Sequence, residues 1–246
     1  MNKTVSIFKS ISELSDFFAF QLIQRIKEIP ADGYCSVALS GGSTPRQLFS
    51  HLASNFRESI DWKRILIFWE DERCVPPDSD ESNYRMAKES LLENVPIPAE
   101  NIFRIQGEAD PAAEAKRYGE IIRKHVPSVN NIPEFDFMML GLGEDGHTAS
   151  IFPGNLHLFS SDLLCEVAMH PVSKQKRVTA TGMLINSSYN IIFLVTGKSK
   201  AEMVSNVIEH KNGWEKLPAS HVQPINGKLY WLLDENAAVN LYLSDK

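Results

Sequence analysis

Short apolar segments alternate along this chain with segments of helical periodicity. The apolar segments have the length of strands and occupy residues 34–39, 65–69, 135–140, 191–195 and 229–233. Continuous apolar strands are typical of parallel sheets that are buried on both faces. Residues 101–105 are predicted as a further strand. We therefore predict an α/β fold with a mostly parallel sheet and helices on both faces.

The predicted helices lie between these strands. Residues 11–29 carry apolar side chains at helical spacing before Pro30 and Gly33 end the pattern. Further helices are predicted at about 46–54, 83–94, 111–126 and 198–209. No repeat, low-complexity tract or long linker divides the sequence, so we expect a single domain over residues 1–246. Residues 163–184 are extended enough for a small β-rich subdomain.

The composition limits the partners and the compartment. The formal net charge is −6 and the sequence has no strong basic patch, which argues against nucleic-acid binding. The cysteines Cys35, Cys74 and Cys165 form no CxxC pair and no even-numbered framework, as expected in a reducing cytoplasm. No apolar run reaches the roughly 18 residues that a membrane helix needs. The sequence leaves the oligomeric state open, and a monomer is the simplest expectation.

The first glycine-rich segment follows the strand at 34–39 and precedes a helix. Gly41 and Gly42 allow a ligand to approach the backbone closely, and the helix N-terminus favours an anion. Ser43 and Thr44 add hydroxyl donors. The alternative is an ordinary tight turn in which Ser43 or Thr44 caps the helix.

The second glycine-rich segment, 141–146, has GxGxxG spacing after a strand. A dinucleotide site is disfavoured because Pro153 follows too soon for the long helix of that motif. We interpret the segment as a catalytic loop in which Asp145 orients the His147 ring and stabilises its protonated form. The alternative is a histidine that hydrogen-bonds its own turn.

Charged residues mark the end of the strand at 65–69. The run 70–73 places three carboxylates beside Arg73, which is a candidate for binding an oxyanion or a phosphate. Arg177, Lys198 and Lys200 are further local cations. The alternative for each of them is a solvated surface charge.

Other catalytic classes lack their signatures in this sequence. The seven histidines are scattered without an HExxH motif, so we expect no metal and no cofactor. No G-x-S-x-G nucleophile elbow is present. Water is therefore the expected nucleophile if the chain is a hydrolase.

Taken together, these motifs resemble the 6-phosphogluconolactonase family, which belongs to a larger group with the glucosamine-6-phosphate deaminases. The resemblance runs in order from about residue 38 to residue 238. It is carried by LSGGSTPRQLF (39–49), EDERCVP (70–76), SNYRM (82–86), LGLGEDGHTASIFPG (140–154), RVTAT (177–181), VTGKSKA (195–201) and LDENAA (233–238).

The resemblance implies a Rossmann-like sheet without a dinucleotide, and a small sugar phosphate lactone as the substrate. By the resemblance, His147 would be the general base, Asp145 would assist it, and Arg73 would face the reacting carbonyl or other substrate oxygens. The 6-phosphate would meet the first glycine-rich loop, and the residues matched to that role are Gly41, Gly42, Ser43, Thr44, Arg177 and Lys200.

Two other functions are weighed against lactone hydrolysis. Amino-sugar phosphate deaminases resemble this group, but their Asp-Gly-His loop continues with Ile-Ala-Phe-Asn-Glu-Pro. Here residues 148–153 read TASIFP, so that glutamate is missing. A non-enzymatic sugar-phosphate sensor is the other alternative, and the presence of both Asp145 and His147 argues against it.

Overall fold

The computed structural model describes residues 3–211 and 213–242. Its strands are β1 (Lys3–Phe8), β2 (Cys35–Leu39), β3 (Ile65–Trp69), β4 (Asp71–Arg73), β5 (Ser128–Val129), β6 (Ile132–Pro133), β7 (Phe137–Leu140), β8 (Cys165–Met169), β9 (Lys176–Ala180), β10 (Asn190–Val195) and β11 (Lys228–Asp234). Its α-helices are α1 (Ile11–Glu28), α2 (Ser43–Asn55), α3 (Asn83–Ala87), α4 (Pro111–His125), α5 (Gly182–Ser187), α6 (Ala201–Ile208) and α7 (Glu235–Ala238). Shorter helical turns are the π-helical Lys88–Leu92 and the 3₁₀ turns Trp62–Arg64, Ala99–Asn101, Leu156–Ser160, Lys198–Lys200, Trp214–Lys216 and Pro218–His221.

The central sheet has six parallel strands in the order β1-β11-β10-β7-β2-β3 and is flanked by helices. Strands β2, β3, β7 and β10 are buried at every residue. This burial explains their continuous apolar sequences, because both faces of each strand contact other elements. The predicted α/β fold with a mostly parallel sheet is confirmed.

Two predicted elements differ from the structure. Residues 101–105 do not form a strand, because Asn101 ends a 3₁₀ turn and, among the residues that the structure describes, only one bridge, Ile67 to Ile102, joins this segment to β3. The helix predicted at 198–209 begins with the 3₁₀ turn Lys198–Lys200, and α6 follows it. Strand β1 was not predicted, and its residues are exposed or half-buried at the edge of the sheet.

The residues 163–184, predicted to be β-rich, contain β8 and β9. These strands form a three-stranded antiparallel sheet with β4, in the order β4-β9-β8. Glu70 joins the two sheets: its amide donates to Leu39 O (3.0 Å), and its carbonyl accepts from the Ala180 amide (2.6 Å). The chain therefore passes from the central sheet into the small sheet at Glu70. A single domain over residues 1–246 stays a prediction.

The strand order places one crevice at the centre of the large sheet. From β2 the chain continues outward to β3, whereas from β7 it continues to β10 and β11 on the other side. The direction of winding thus reverses between β2 and β7. In open α/β sheets, ligands bind outside the carboxyl ends of the strands at such a reversal.

Candidate active site

A cleft of about 470 Å³ lies at the carboxyl ends of β2, β3 and β7. Its walls come from residues 40–42, from several residues of 70–83, from the loop 141–149, and from Arg177 and Lys200. The cleft therefore brings together segments that are far apart in sequence. Of the predicted site residues, the cleft is lined by His147, Asp145, Arg73, Gly41, Gly42, Arg177 and Lys200.

The glycine-rich turn at one end of the cleft leads into α2. Gly42 is the N-cap residue of α2 with a φ of 106°, a conformation that favours glycine. Within the described part of the chain, no side chain caps this helix, and its first turn has no acidic residue. The first amides of α2 therefore lack side-chain acceptors, and the helix dipole favours an anion there.

Ser43 and Thr44 begin α2 but are not among the residues that line the cleft. Ser43 is exposed. Thr44 is buried, and its hydroxyl lies 2.7 Å from the hydroxyl of Thr196 at the end of β10. Since the Thr44 hydroxyl has this partner, the backbone amides of both residues are the simpler donors to a ligand. Phosphate contact by either residue stays a prediction.

The loop after β7 holds the histidine and the carboxylate together. Asp145 Oδ1 lies 2.5 Å from His147 Nδ1 and accepts from the His147 amide at 3.1 Å. Gly143 is required here, because a Cβ at this position would lie 2.1 Å from Nδ1. The ring therefore bonds the Asp145 carboxylate within its own turn, and Nε2 has no hydrogen-bond partner among the described residues.

The contact with His147 also changes the pKa of the Asp145 carboxyl. Burial raises its pKa, but the hydrogen bonds and the charge of His147 outweigh burial and leave the pKa below its ordinary value. Asp145 therefore stays ionised next to the imidazole. An ionised neighbour stabilises the imidazolium that a general base becomes when it accepts a proton.

Two arginines lie side by side in the wall of the cleft. Arg73 on β4 pairs directly with Arg177 on β9. Like charges at such a position are destabilising unless another group compensates them. Burial lowers the pKa of Arg177, and Asp71, whose Oδ2 lies 3.8 Å from Nη1, opposes that shift. Each arginine has a buried Nε without a hydrogen-bond partner among the described residues, as expected of a site built for an anion.

The acidic run 70–73 is more than a solvated turn. Glu72 is buried and accepts from the Ser82 hydroxyl and from the amides of Asn83 and Tyr84, so it caps the start of α3. Arg73 donates to the Glu81 carbonyl. These contacts fix β4 and α3 against each other and thereby position Arg73.

Lys200 lines the cleft near the loop after β7. Its Nζ lies 4.0 Å from Glu144 Oε1, and the Glu144 side chain is largely exposed. An exposed ion pair of this kind is weak, so Lys200 is available to bind an anionic ligand. Lys198, in contrast, is exposed and is absent from the cleft walls.

Asn83 and Ser40 also line the cleft and were not predicted as site residues. The Asn83 amide donates to Asp71 Oδ1 at 2.8 Å. Asn83 Oδ1 lies only 2.0 Å from where a Cβ of Gly41 would be, which explains the glycine. Asn83 meets Asp71 and Gly41 only in the folded chain, so no local sequence pattern indicates these contacts.

Within residues 3–211 and 213–242, no group of three His, Cys, Asp or Glu side chains is placed to hold a metal ion. None of the helices in that part of the chain is long and apolar enough to cross a membrane.

The fold and the cleft define a class: α/β enzymes that present a histidine–carboxylate pair beside cations at the carboxyl ends of a parallel sheet. Within that class, the chain belongs to the family described as glucosamine-6-phosphate isomerases/6-phosphogluconolactonase, which matches residues 9–231.

Relatives and solved structures agree with this assignment. The 6-phosphogluconolactonase of Treponema pallidum (strain Nichols) is 46% identical over 171 residues, which are 70% of this chain and 71% of the relative. That of Haemophilus influenzae is 42% identical over 206 residues, covering 83% of this chain and 86% of the relative. The structure of 6-phosphogluconolactonase from Trypanosoma brucei matches with a TM-score of 0.85 and 31% identity, over 98% of this chain and 99% of that chain.

Proposed function

We propose that this chain hydrolyses 6-phospho-D-glucono-1,5-lactone to 6-phosphogluconate, a step of the oxidative pentose phosphate pathway. The observation that carries the proposal is the His147–Asp145 pair, which lies in one cleft with an uncapped helix N-terminus and two arginines. Relatives of this chain are named for the same activity.

The reaction needs a base, a stabilised oxyanion and a positioned water. His147 takes a proton from water through Nε2 as the water oxygen bonds to C1 of the lactone. The bond from C1 to the ring oxygen then breaks, and His147 returns the proton to that oxygen. General-base catalysis contributes a factor of about 10² to 10⁴ in rate. No covalent intermediate with the protein is required.

Arg73 is the proposed partner of the carbonyl oxygen. Its guanidinium lines the cleft and is fixed by the contact with Glu81. A donor placed for the developing oxyanion contributes a factor of about 10² to 10³. Contact of Arg73 with other substrate oxygens is the alternative within the same proposal.

The phosphate of the substrate is proposed to bind at the other end. The uncapped amides of α2 beyond Gly41 and Gly42 supply donors, and Arg177 and Lys200 supply charge. Ser43 and Thr44 belong to the same proposed contact. Binding the non-reacting end orients the lactone over His147, which lowers the entropic part of the barrier.

Deamination of glucosamine 6-phosphate is the second candidate. A monomeric glucosamine-6-phosphate deaminase matches this chain with a TM-score of 0.82 and 25% identity, over 97% of this chain and all of that chain. Against it, the loop after His147 provides no carboxylate: the Thr148 hydroxyl bonds Gly141 O, and the Ser150 hydroxyl bonds Asp71. Release of ammonia from glucosamine 6-phosphate is the assay that would favour deamination.

The proposal is tested with lactone generated in situ from glucose 6-phosphate. The wild-type chain is expected to consume it well above the spontaneous rate, and a folded His147→Ala variant to lose a factor of about 10² or more. His157→Ala is the matched control, because His157 is exposed and lies outside the cleft. Turnover that survives His147→Ala moves the base elsewhere. No turnover at all would call for the deaminase assay, and a negative result there would favour a non-enzymatic sugar-phosphate sensor.

The remaining expectations from the sequence belong to the same proposal. The chain is proposed to act as a cytoplasmic monomer without nucleic acid, supported by its net charge of −6 and by Cys35, Cys74 and Cys165, which form no disulfide. Light scattering after size-exclusion chromatography tests the monomer, and cell fractionation tests the compartment.

A further inference from the structure

Glu70 is a buried carboxyl group in the wall of the cleft that the proposed reaction does not use. It is 2% exposed and lies where the central sheet passes into the small sheet. Its Oε1 accepts from the Ser40 hydroxyl at 2.7 Å. Its Oε2 is buried and receives no hydrogen bond from any described residue.

This carboxyl has no cation as a direct partner. Among the described residues, no lysine, arginine or histidine nitrogen lies within 4.0 Å of it, although Arg73 and Arg177 stand nearby in the cleft. An ionised carboxylate buried without a pair is costly, and a protonated carboxyl avoids that cost. The negative charge of the neighbouring Asp71 further disfavours an ionised Glu70.

We propose that Glu70 carries a proton in the working site and, as a neutral acid, is a positioning residue for the anion site at the start of α2, through its hydrogen bond from Ser40. Through Ser40 it fixes the start of the Gly41–Gly42 turn. The inference rests on the proposed function only for the identity of the anion.

The charges around Glu70 explain why a neutral acid suits this position. The ionisable side chains that line the cleft together with Glu70 are Asp71 and Arg73 on β4, Arg177 on β9, and Glu144, Asp145, His147 and Lys200. With Glu70 neutral and His147 neutral, the cations of this set equal the carboxylates in number. An ionised Glu70 would give the cleft a net negative charge and repel a phosphate ester. Burial and the charge of Asp71 both raise the pKa of Glu70 well above its ordinary value, in agreement with the proton.

Protonation is tested directly by infrared spectroscopy at pH 7. The wild-type protein is expected to show the carbonyl band of a protonated carboxyl, and Glu70→Gln is expected to lack it. Glu114→Gln is the matched control, since Glu114 is equally buried but ion-paired with Arg117 at 2.6 Å, and it should leave the band unchanged. Absence of the band from the wild type overturns the proposal.

Positioning is tested by the affinity for 6-phosphogluconate and, as a second probe, for inorganic phosphate. Glu70→Gln retains the neutral charge and the acceptor for Ser40, so its affinity should stay within about threefold of wild type. Glu70→Met retains only the shape and should bind about tenfold more weakly. Equal weakening in both variants shows that the carboxylate charge is needed and overturns the proposal.

In steady state, Glu70→Met is expected to raise KM while leaving kcat within about threefold, which a general loss of folded protein would not produce. The infrared and binding measurements do not depend on turnover. A negative result in them therefore contradicts the role of Glu70 without contradicting the proposed lactonase activity. If Glu70→Met does not fold, the comparison of wild type with Glu70→Gln still shows whether binding requires a negative charge at position 70.

Discussion

Arg177 is proposed to bind the phosphate of the substrate and to take no part in the reaction at the lactone carbonyl. It lines the same cleft as the His147–Asp145 pair, and its buried Nε has no partner among the described residues. Arg177→Ala should therefore raise KM by about tenfold to a hundredfold, the usual cost of a charged hydrogen bond, with a much smaller loss in kcat. Initial rates over a range of lactone concentrations measure both constants.

The matched control for this variant is Arg57→Ala. Arg57 is an exposed arginine that pairs with the neighbouring Glu58 and lies outside the cleft. Its removal should leave KM unchanged. A loss of kcat without a change of KM in Arg177→Ala would place Arg177 at the reacting carbonyl instead.

Asp145 is expected to act on turnover rather than on binding. Asp145→Asn retains the size of the side chain but removes the negative charge 2.5 Å from His147 Nδ1. The imidazolium formed in the reaction then loses its stabilising partner, and the ring is free to adopt the wrong tautomer. We expect kcat to fall by a factor of about 10² or more, with KM within a few-fold of wild type. Unchanged kcat would mean that His147 needs no orienting group.

At this scale, the sequence predicted contacts between near neighbours better than contacts across the fold. Asp145 and His147 are two residues apart on a glycine-rich turn, so their spacing alone indicated a pair. The contact of Ser40 with Glu70 spans 30 residues. It depends on β2 and β3 being neighbours in the sheet, which no local pattern encodes.

The junction of β2 and α2 is the element whose backbone matters most to the proposed phosphate site. Gly42 has a φ of 106°, and a Cβ added there would meet no atom within 4 Å. Gly42→Ala therefore introduces backbone strain of about 1 to 3 kcal/mol without a steric clash. We expect a lower melting temperature together with a raised KM, because relief of the strain displaces the first amides of α2.

Gly154→Ala is the control that isolates the site effect. Gly154 has a φ of 93°, an added Cβ there also meets nothing within 4 Å, and the residue is not part of the cleft. The two variants should lose similar stability, but only Gly42→Ala should change KM. Equal KM values in both would remove the α2 N-terminus from the phosphate site.

Among the elements, burial decided which were predictable. The buried strands of the central sheet have continuous apolar sequences and were all predicted. Strand β1 reads KTVSIF at an edge, where one side of the strand has no partner, and was missed. The apolar residues at 101–105 pack against the core without extending the sheet, so apolar character alone wrongly predicted a strand.

For the whole molecule, the alternation of strands and helices predicted the fold class but not the strand order. The reversal between β2 and β7 places residues 40–42 beside 141–149. The general rule for open α/β sheets predicted convergence at the strand ends. The small sheet was harder to predict, because β4 is three residues long and pairs with β9, a strand about a hundred residues later in the chain.

The stability of the whole molecule should depend on pH through Glu70. In the unfolded chain a glutamate titrates near pH 4.3, whereas burial and Asp71 raise the pKa of Glu70 well above that in the fold. Between the two values the native state binds more protons than the unfolded state, so the free energy of unfolding falls as pH rises. One proton contributes a slope of at most about 1.4 kcal/mol per pH unit.

The Glu70→Gln variant has no titrating carboxyl at position 70. The free energy of unfolding of this variant should therefore decline less than that of the wild type between pH 5 and pH 8. Urea denaturation at each pH measures both. Glu72 and Glu134, whose pKa values are also raised, contribute equally to the two proteins and cancel in the comparison. Asp145, with a lowered pKa, affects only the range below about pH 4, where its stabilisation is lost as the pH falls. Parallel curves from pH 5 to pH 8 would show that Glu70 ionises in the fold as it does in the unfolded chain.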